Sequence, residues 1–483
     1  MSTPASASLA LAIAMSGIML ASAASSAGSR DAQIVSDLIA ARQARDAEAA
    51  RQIWQWAEVG YQEQQSSELL QSQLREAGFE VRAGVADMPT AFVATAGSGK
   101  PVIGVLAEFD ALPGFSQDAM PERSPIKGRQ SGHACGHHLF GVGSTSAAIA
   151  IKDWLARSRV SGTIRLYGTP AEEGGAGKVY MVRAGLFNDV DVVLHWHPDD
   201  TNDASPVESQ ANRSAKFRFF GVSSHAAAAP DRGRSALDGV EAMNNMVNLL
   251  REHVPQETRI HYVITKGGSA PNVVPDFAEV YYYVRHPDPG VLVEIWARVL
   301  KAADGAAMGT ETRVEHEVIH GVYSLLNNET LSKVFDRELR AIGGVQYTPE
   351  EQAFAEKLQA NLPQPMRALG TQAEVQPYLP RQQYGSTDVG DVSWIVPTAG
   401  PQIATWVPGT PAHSWQAVAA GGMSIGFKGM RVASQALART AVALYRDPRL
   451  VQEARREFES RRGADFQYRP LLGDRAPPLD YRN

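Results

Sequence analysis

The chain has 483 residues, 44% of them hydrophobic, which is enough apolar material for a substantial core and a length that suits about two domains. Its formal net charge of −6, with no concentrated basic patch, excludes a nucleic-acid partner, because neutralising phosphates needs clustered Lys and Arg. A single cysteine excludes an internal disulfide and leaves the compartment open.

The first 29 residues carry no charged side chain, and an apolar run over residues 9–23 ends in Ala21-Ser22-Ala23. That pattern resembles an export leader with a small-residue cleavage site, although the basic stretch that usually opens one is missing. The run is too short for an ordinary membrane-spanning helix. The chain is therefore expected to be exported to the periplasm without a membrane span, or to be cytoplasmic if the N-terminus is not cleaved. Over residues 31–57, Ile34, Leu38, Ala41, Ile53 and Trp56 recur at mostly helical spacing around a charged middle, which predicts one long or two short helices. A further helix over 66–77 ends at Gly78. Residues 91–97 and 101–107 are short apolar runs that read as two buried strands joined by a turn.

A helix over 139–157, a strand over 163–169, a helix over 176–186 and a strand over 191–197 follow. This alternation predicts an α/β unit with a mostly parallel sheet and helices on both faces. Such sheets bind ligands beyond the carboxyl ends of their strands, where this chain places Glu108, Asp110, Glu172, Glu173, His195 and His197. A different pattern begins near residue 212: strands over 214–220, 259–265, 278–285 and 312–319, with helices over 235–251 and 290–303. The order β-α-β-β-α-β is ferredoxin-like and is read as an inserted α+β domain over 212–322. Residues 30–211 and 323–446 are then read as one discontinuous domain. The tail over 447–483 is charged and Pro-containing, with no regular pattern.

Residues 133–138 read His-Ala-Cys-Gly-His-His and gather the only cysteine with three imidazoles in one turn. A second Cys at zinc-ribbon spacing is absent, so a closed structural site is not indicated and further ligands must come from distant segments. Taken alone, a buried cysteine with a capping histidine explains the turn equally well. Glu172 and Glu173 follow a strand directly, and paired acids there can divide labour, one holding a cation and the other moving a proton. A phosphate-loop reading around Lys178 fails, because Glu172 stands where that loop needs Gly and Val179 where it needs Ser or Thr. His195 and His197 are expected to diverge to opposite faces, so that one reaches the Cys135 centre and the other packs. His413 sits in a Pro- and Gly-punctuated loop, where a ligand or surface role is more natural than a core one.

Taken together, residues 107–113 (A-E-F-D-A-L-P), the H-A-C-G-H stretch, T-P-A-E-E-G-G over 169–175, W-H-P over 196–198, S-S-H-A-A-A-A-P over 223–230, P-N-V-V-P over 271–275 with Arg285, and S-T-D-V-G-D-V-S-W over 386–394 resemble the M20 family of metallopeptidases and amidohydrolases. Within it they most resemble the branch of the aminobenzoyl-glutamate hydrolases, in its B-type form, near the N-acyl amino acid and auxin-conjugate amidohydrolases. The resemblance runs from about residue 32 to 445. It implies a catalytic domain binding two divalent cations, zinc or manganese, and an inserted lid domain that also mediates homodimerisation. It implies Cys135, His137, Glu173, His197 and His413 as metal ligands and Glu172 as general base. It further implies that His225 polarises the scissile carbonyl, and that Asn272 and Arg285 hold the carboxylate of the substrate's amino acid half. Two departures are visible. His138 stands where related amidohydrolases have Asp, and Glu108 replaces the first histidine of the classical peptidases.

The expected activity is hydrolysis of the amide between an acyl or aroyl group and a free amino acid, with aminobenzoyl-glutamate-like and N-acyl amino acid substrates. A dipeptidase or carboxypeptidase of the same family is the alternative. A Cys135-nucleophile hydrolase and a non-catalytic binding protein on the same fold are more distant rivals.

Overall fold

The computed structural model describes residues 6–362 and 367–482, with side chains from Arg30 onward. The expected export leader, residues 1–29, lies outside the residues whose side chains are described. No helix among the described residues is long and apolar enough to cross a membrane.

Val102–Ala107 carries no polar side chain and is buried at all six positions, as a strand covered on both faces must be. It lies inside a six-stranded sheet ordered Glu80–Ala83, Phe92–Ser98, Gly162–Gly168, Val102–Ala107, Val192–Leu194 and Thr398–Ala399. Pairing is antiparallel at the Glu80–Ala83 edge and parallel from Gly162–Gly168 onward. The two early strands expected to be joined by a turn are therefore consecutive but not neighbours: Gly162–Gly168 lies between them. Interleaving gives Val102–Ala107 a partner on each side, which its wholly apolar composition favours over an edge position. The expected strand over 191–197 also divides. Val192–Leu194 stays in the sheet, whereas His197–Asp199 pairs in parallel with Gln402–Ala404. Ser6–Trp56 is one helix; with His137–Ser158 and Ser424–Arg446 it forms a packed layer, His137–Ser158 lying against Val102–Ala107 and Gly162–Gly168.

The smaller unit is a four-stranded antiparallel sheet ordered Arg259–Lys266, Phe277–His286, Ala211–Phe220 and Arg313–Val322. Helices Ala236–Leu250 and Pro289–Gly309 pack on it around Phe217, Tyr282 and Trp296. Both helices start on a side-chain cap: Ser235 accepts from the Asp238 amide, and Asp288 from those of Gly290 and Val291. This is the ferredoxin-like order expected from the sequence.

The tail is more ordered than its composition suggests. Pro448–Arg462 is a helix capped by Asp447, with only Ala454 and Phe458 buried, so its apolar face is too sparse to read as a period. Beyond it Leu471 enters the core of the smaller unit and Leu472 that of the larger.

Candidate metal centre

Gly136 makes the turn that presents Cys135. Its φ of +73° is left-handed, and a Cβ there would lie 2.7 Å from Pro198, so a side chain is excluded. The helix then begins at His137 rather than near Leu139. His137 Nδ1 lies 2.8 Å from Asp110 Oδ1, which fixes the ring and turns Nε2 toward Glu108, 3.1 Å away. His197 Nδ1 lies 2.7 Å from the carbonyl of Pro198, leaving Nε2 3.5 Å from Cys135 Sγ. In both rings one nitrogen is spent on orientation and the other faces the cluster, the arrangement metal-ligating histidines use.

The Glu172-Glu173 turn is held from several sides. Ala171 and Ala176 both have left-handed φ, at 56° and 57°, a conformation that persists only where neighbours enforce it. The Ala171 amide donates to Glu63 at 2.8 Å, the Glu173 amide to Asp110 Oδ2 at 2.9 Å, and the Tyr61 hydroxyl to the Gly175 carbonyl at 2.8 Å. His413, also left-handed at φ 56°, donates its amide to the Ala134 carbonyl and brings Nε2 to 3.0 Å from Glu173 Oε1.

Among the described residues three donor groups result, each with ligand atoms within 4.8 Å of one another: Cys135, His137 and His197; Cys135, Glu173 and His413; and Glu108, His137 and Glu172. The five expected ligands thus fall into two triads sharing the Cys135 sulfur. His137 Nε2 and both Glu108 carboxylate oxygens are buried without a well-aligned hydrogen bond, though they lie within ion-pair distance of partners. His137 Nε2 and Glu108 Oε2, which face each other at 3.1 Å without a well-aligned hydrogen bond, fit a divalent cation.

Burial alone would lower His137, but the neighbouring carboxylates of Asp110 and Glu108 outweigh it and hold the imidazole well above its usual range. A place that favours an imidazolium so strongly favours a metal cation too. Burial, followed by the charges of Glu108 and Glu173, pushes Glu172 well above the usual carboxylate range, as suits a proton-accepting group. Burial and Glu173 also push the Cys135 thiol up, so without a cation it is a neutral and poor nucleophile.

Lys178 is fully buried, its ammonium 2.7 Å from both Glu108 Oε1 and Asp388 Oδ1. Burial opposes its charge, yet Asp388 and Glu108 hold its pKa above the usual lysine range. Neither Lys178 nor Asp388 was expected at the site. Lys178 interrupts the otherwise apolar stretch of the helix Gly177–Arg183, and that interruption was the available signal.

His195 and His197 do not diverge: both line one cavity of about 530 Å³ with Glu108, Cys135, Glu172 and His413. Residues two apart on an extended chain share a face, and Trp196 between them is the one buried on the other side. The His133 and His138 rings lie 4.8 Å apart, tilted by 48°, and bond the carbonyls of Ile53 and Gly421, outside the three donor groups. His225, Asn272 and Arg285 do not line the cavity. His225 is exposed on the smaller unit, beside Asn272, whose carbonyl accepts from the Ala226 amide, and Arg285 donates to the carbonyl of Tyr384.

Residues 207–310 match the M20 peptidase dimerisation domain. Over 454 residues the chain is 41% identical to the B-type chain of p-aminobenzoyl-glutamate hydrolase from Escherichia coli (strain K12), covering 88% of this chain and 94% of the relative. The chain belongs to the M20 family. The Xaa-Arg dipeptidase of Homo sapiens is 28% identical over 431 residues, 85% of this chain and 88% of that protein. A dinuclear metal-binding peptidase from the M20 family, from Bacillus subtilis, shares the fold with a TM-score of 0.59 at 19% identity, over 84% of this chain and 99% of that one. This M20 chain is a hydrolase of the peptidase and amidohydrolase class.

Proposed function

We propose that this chain hydrolyses the amide bond between an acyl or aroyl group and a free amino acid at a two-metal centre. The observation that carries the reading is the pair of donor triads sharing Cys135. Two divalent cations, zinc or manganese, held by Cys135 with His137 and His197 and by Cys135 with Glu173 and His413, would polarise the carbonyl and lower the pKa of the attacking water. Glu172, desolvated beside them, takes the proton from that water and passes it to the leaving amine.

The lid residues complete the reading. His225 faces solvent in the single chain, which suits a group that donates to the developing oxyanion in a neighbouring protomer. The dimerisation domain supports a homodimer. Asn272 and Arg285 then hold the substrate carboxylate from the same lid. The Escherichia coli relative points to aminobenzoyl-glutamate as a candidate substrate, and the human relative keeps a dipeptide as the second reading. The uncharged, apolar N-terminus supports export, which N-terminal sequencing of protein recovered from the periplasm tests.

Hydrolysis assays across N-acyl amino acids, N-aroyl amino acids and dipeptides test the substrate class. The reading requires release of a free amino acid from at least one acyl or aroyl conjugate at a higher kcat/KM than from any dipeptide. Faster dipeptide turnover would replace it with the second reading.

A further inference from the structure

The C-terminal segment ends on the catalytic turn. After the helix Pro448–Arg462 it runs back across the molecule, and its anchors lie at the root of the lid. Tyr468 donates to Asp391 at 2.6 Å, and the Arg469 carbonyl accepts from the Tyr323 hydroxyl at 2.9 Å. Leu471 and Leu472, adjacent in sequence, are buried in the two different cores. A Cβ on Gly321 would lie 2.6 Å from the Leu471 backbone, so the close approach needs glycine there. The Arg475 guanidinium donates to the carbonyls of Val318 and Ile319 in the lid strand Arg313–Val322.

From these anchors the segment reaches Glu173. The Tyr481 hydroxyl and the Arg482 guanidinium both donate to the carbonyl of Glu173. Tyr481 is seated over Gly60, where a Cβ would come within 2.2 Å of its hydroxyl oxygen, and meets the ring of Tyr61 edge-on at 5.7 Å. The Tyr61 hydroxyl in turn bonds the Gly175 carbonyl of the same turn.

We infer that Tyr481 and Arg482 are positioning residues that hold the Glu172-Glu173 turn in its working geometry. The peptide that follows Glu173 leads into Gly174 at φ +89°, a residue that permits this peptide to rotate, and its carbonyl is the atom both donors clamp. The turn is flanked by left-handed Ala171 and Ala176, so it needs outside partners to keep its shape. Glu63, Asp110 and Tyr61 restrain other atoms of the turn, whereas the Glu173 carbonyl is restrained by the C-terminal segment. Releasing that carbonyl would loosen the turn that holds the Glu173 carboxylate 3.0 Å from His413, and with it the donor triad containing both. The inference rests on the metal and base roles proposed for Glu173 and Glu172.

The test uses the full-length chain with Tyr481→Phe and Arg482→Ala combined, and Arg482→Lys alone, compared with wild type. Hydrogen exchange is read in a peptide spanning residues 171–176, zinc affinity by chelator competition, and kcat and KM on a hydrolysed conjugate. In the double variant, exchange in that peptide should rise about tenfold, one of the two zinc equivalents should weaken about 10- to 100-fold, and kcat should fall with KM nearly unchanged. Arg482→Lys, which keeps a cationic donor, should retain most of each. Unchanged local exchange and zinc affinity in the double variant would overturn the inference, as would a loss of stability spread evenly over the molecule. If wild type binds no metal, the metal reading has failed. Faster exchange confined to the turn would then still support the clamp, and unchanged exchange would remove both.

Discussion

Cys135 Sγ and His197 Nε2 lie 3.5 Å apart, although 62 residues separate them in the chain. The sulfur is also within 4.8 Å of donor atoms on Glu173 and His413, so one side chain serves two triads. Cys135→Ser puts a neutral hydroxyl in place of a thiolate ligand and should reduce both metal equivalents together. Metal analysis of the purified variant checks this, and a wild-type content would remove Cys135 from the centre.

The adjacent acids separate by role. Glu172→Gln should lower turnover by about 10² to 10⁴-fold, the usual range for general acid-base catalysis, with metal content near normal. Glu173→Gln should lose metal as well, because its carboxylate faces His413 at 3.0 Å. The opposite pattern in paired kinetics and metal analysis would exchange the two assignments.

Stability should depend on pH through Glu63. Burial first, and then the charge of Asp110, raises its carboxyl from 4.5 to about 8. The folded chain therefore holds a proton that the unfolded chain releases, so this contribution is complete below pH 4.5 and is lost as pH rises through about 8. Glu63→Gln stays neutral and can still accept from the Ala171 amide. Its melting temperature should fall less than that of wild type between about pH 6 and about pH 9. Equal falls in scanning calorimetry would contradict the buried neutral carboxyl.

Exchange of protomers between dimers tests His225. His225→Ala and Glu172→Gln should each be nearly inactive, since a lost oxyanion donor costs about 10² to 10³ in turnover. Mixed by dissociation and reassociation, they should regain about a quarter of wild-type activity, as half the dimers then carry one site with both groups intact. No recovery despite demonstrated exchange would confine His225 to its own chain or remove it from the reaction.

The legible parts of the sequence were those with local patterns. The alternating strands of the smaller unit, such as Ala211–Phe220, and the apolar run Val102–Ala107 announce themselves by period and composition. Strand order did not, because nothing local tells Gly162–Gly168 to insert between two earlier strands. At the site, Cys135, His137, Glu172 and Glu173 stood out as clustered chemistry. Lys178 did not, because its charge is explained only by Glu108 and Asp388, which are 70 and 210 positions away. Tyr481 and Arg482 were invisible for the same reason: their partner is a backbone carbonyl, which leaves no mark in a sequence.

The proposed amide hydrolysis depends on two cations sharing Cys135. Its most direct test is metal titration into chelator-treated enzyme, with hydrolysis of an N-aroyl or N-acyl amino acid followed at each addition. Activity should be lost on chelation, return only as binding approaches about two ions per chain, and be insensitive to thiol alkylation once both are bound. Full activity in the metal-free protein, abolished by alkylating Cys135, would contradict it.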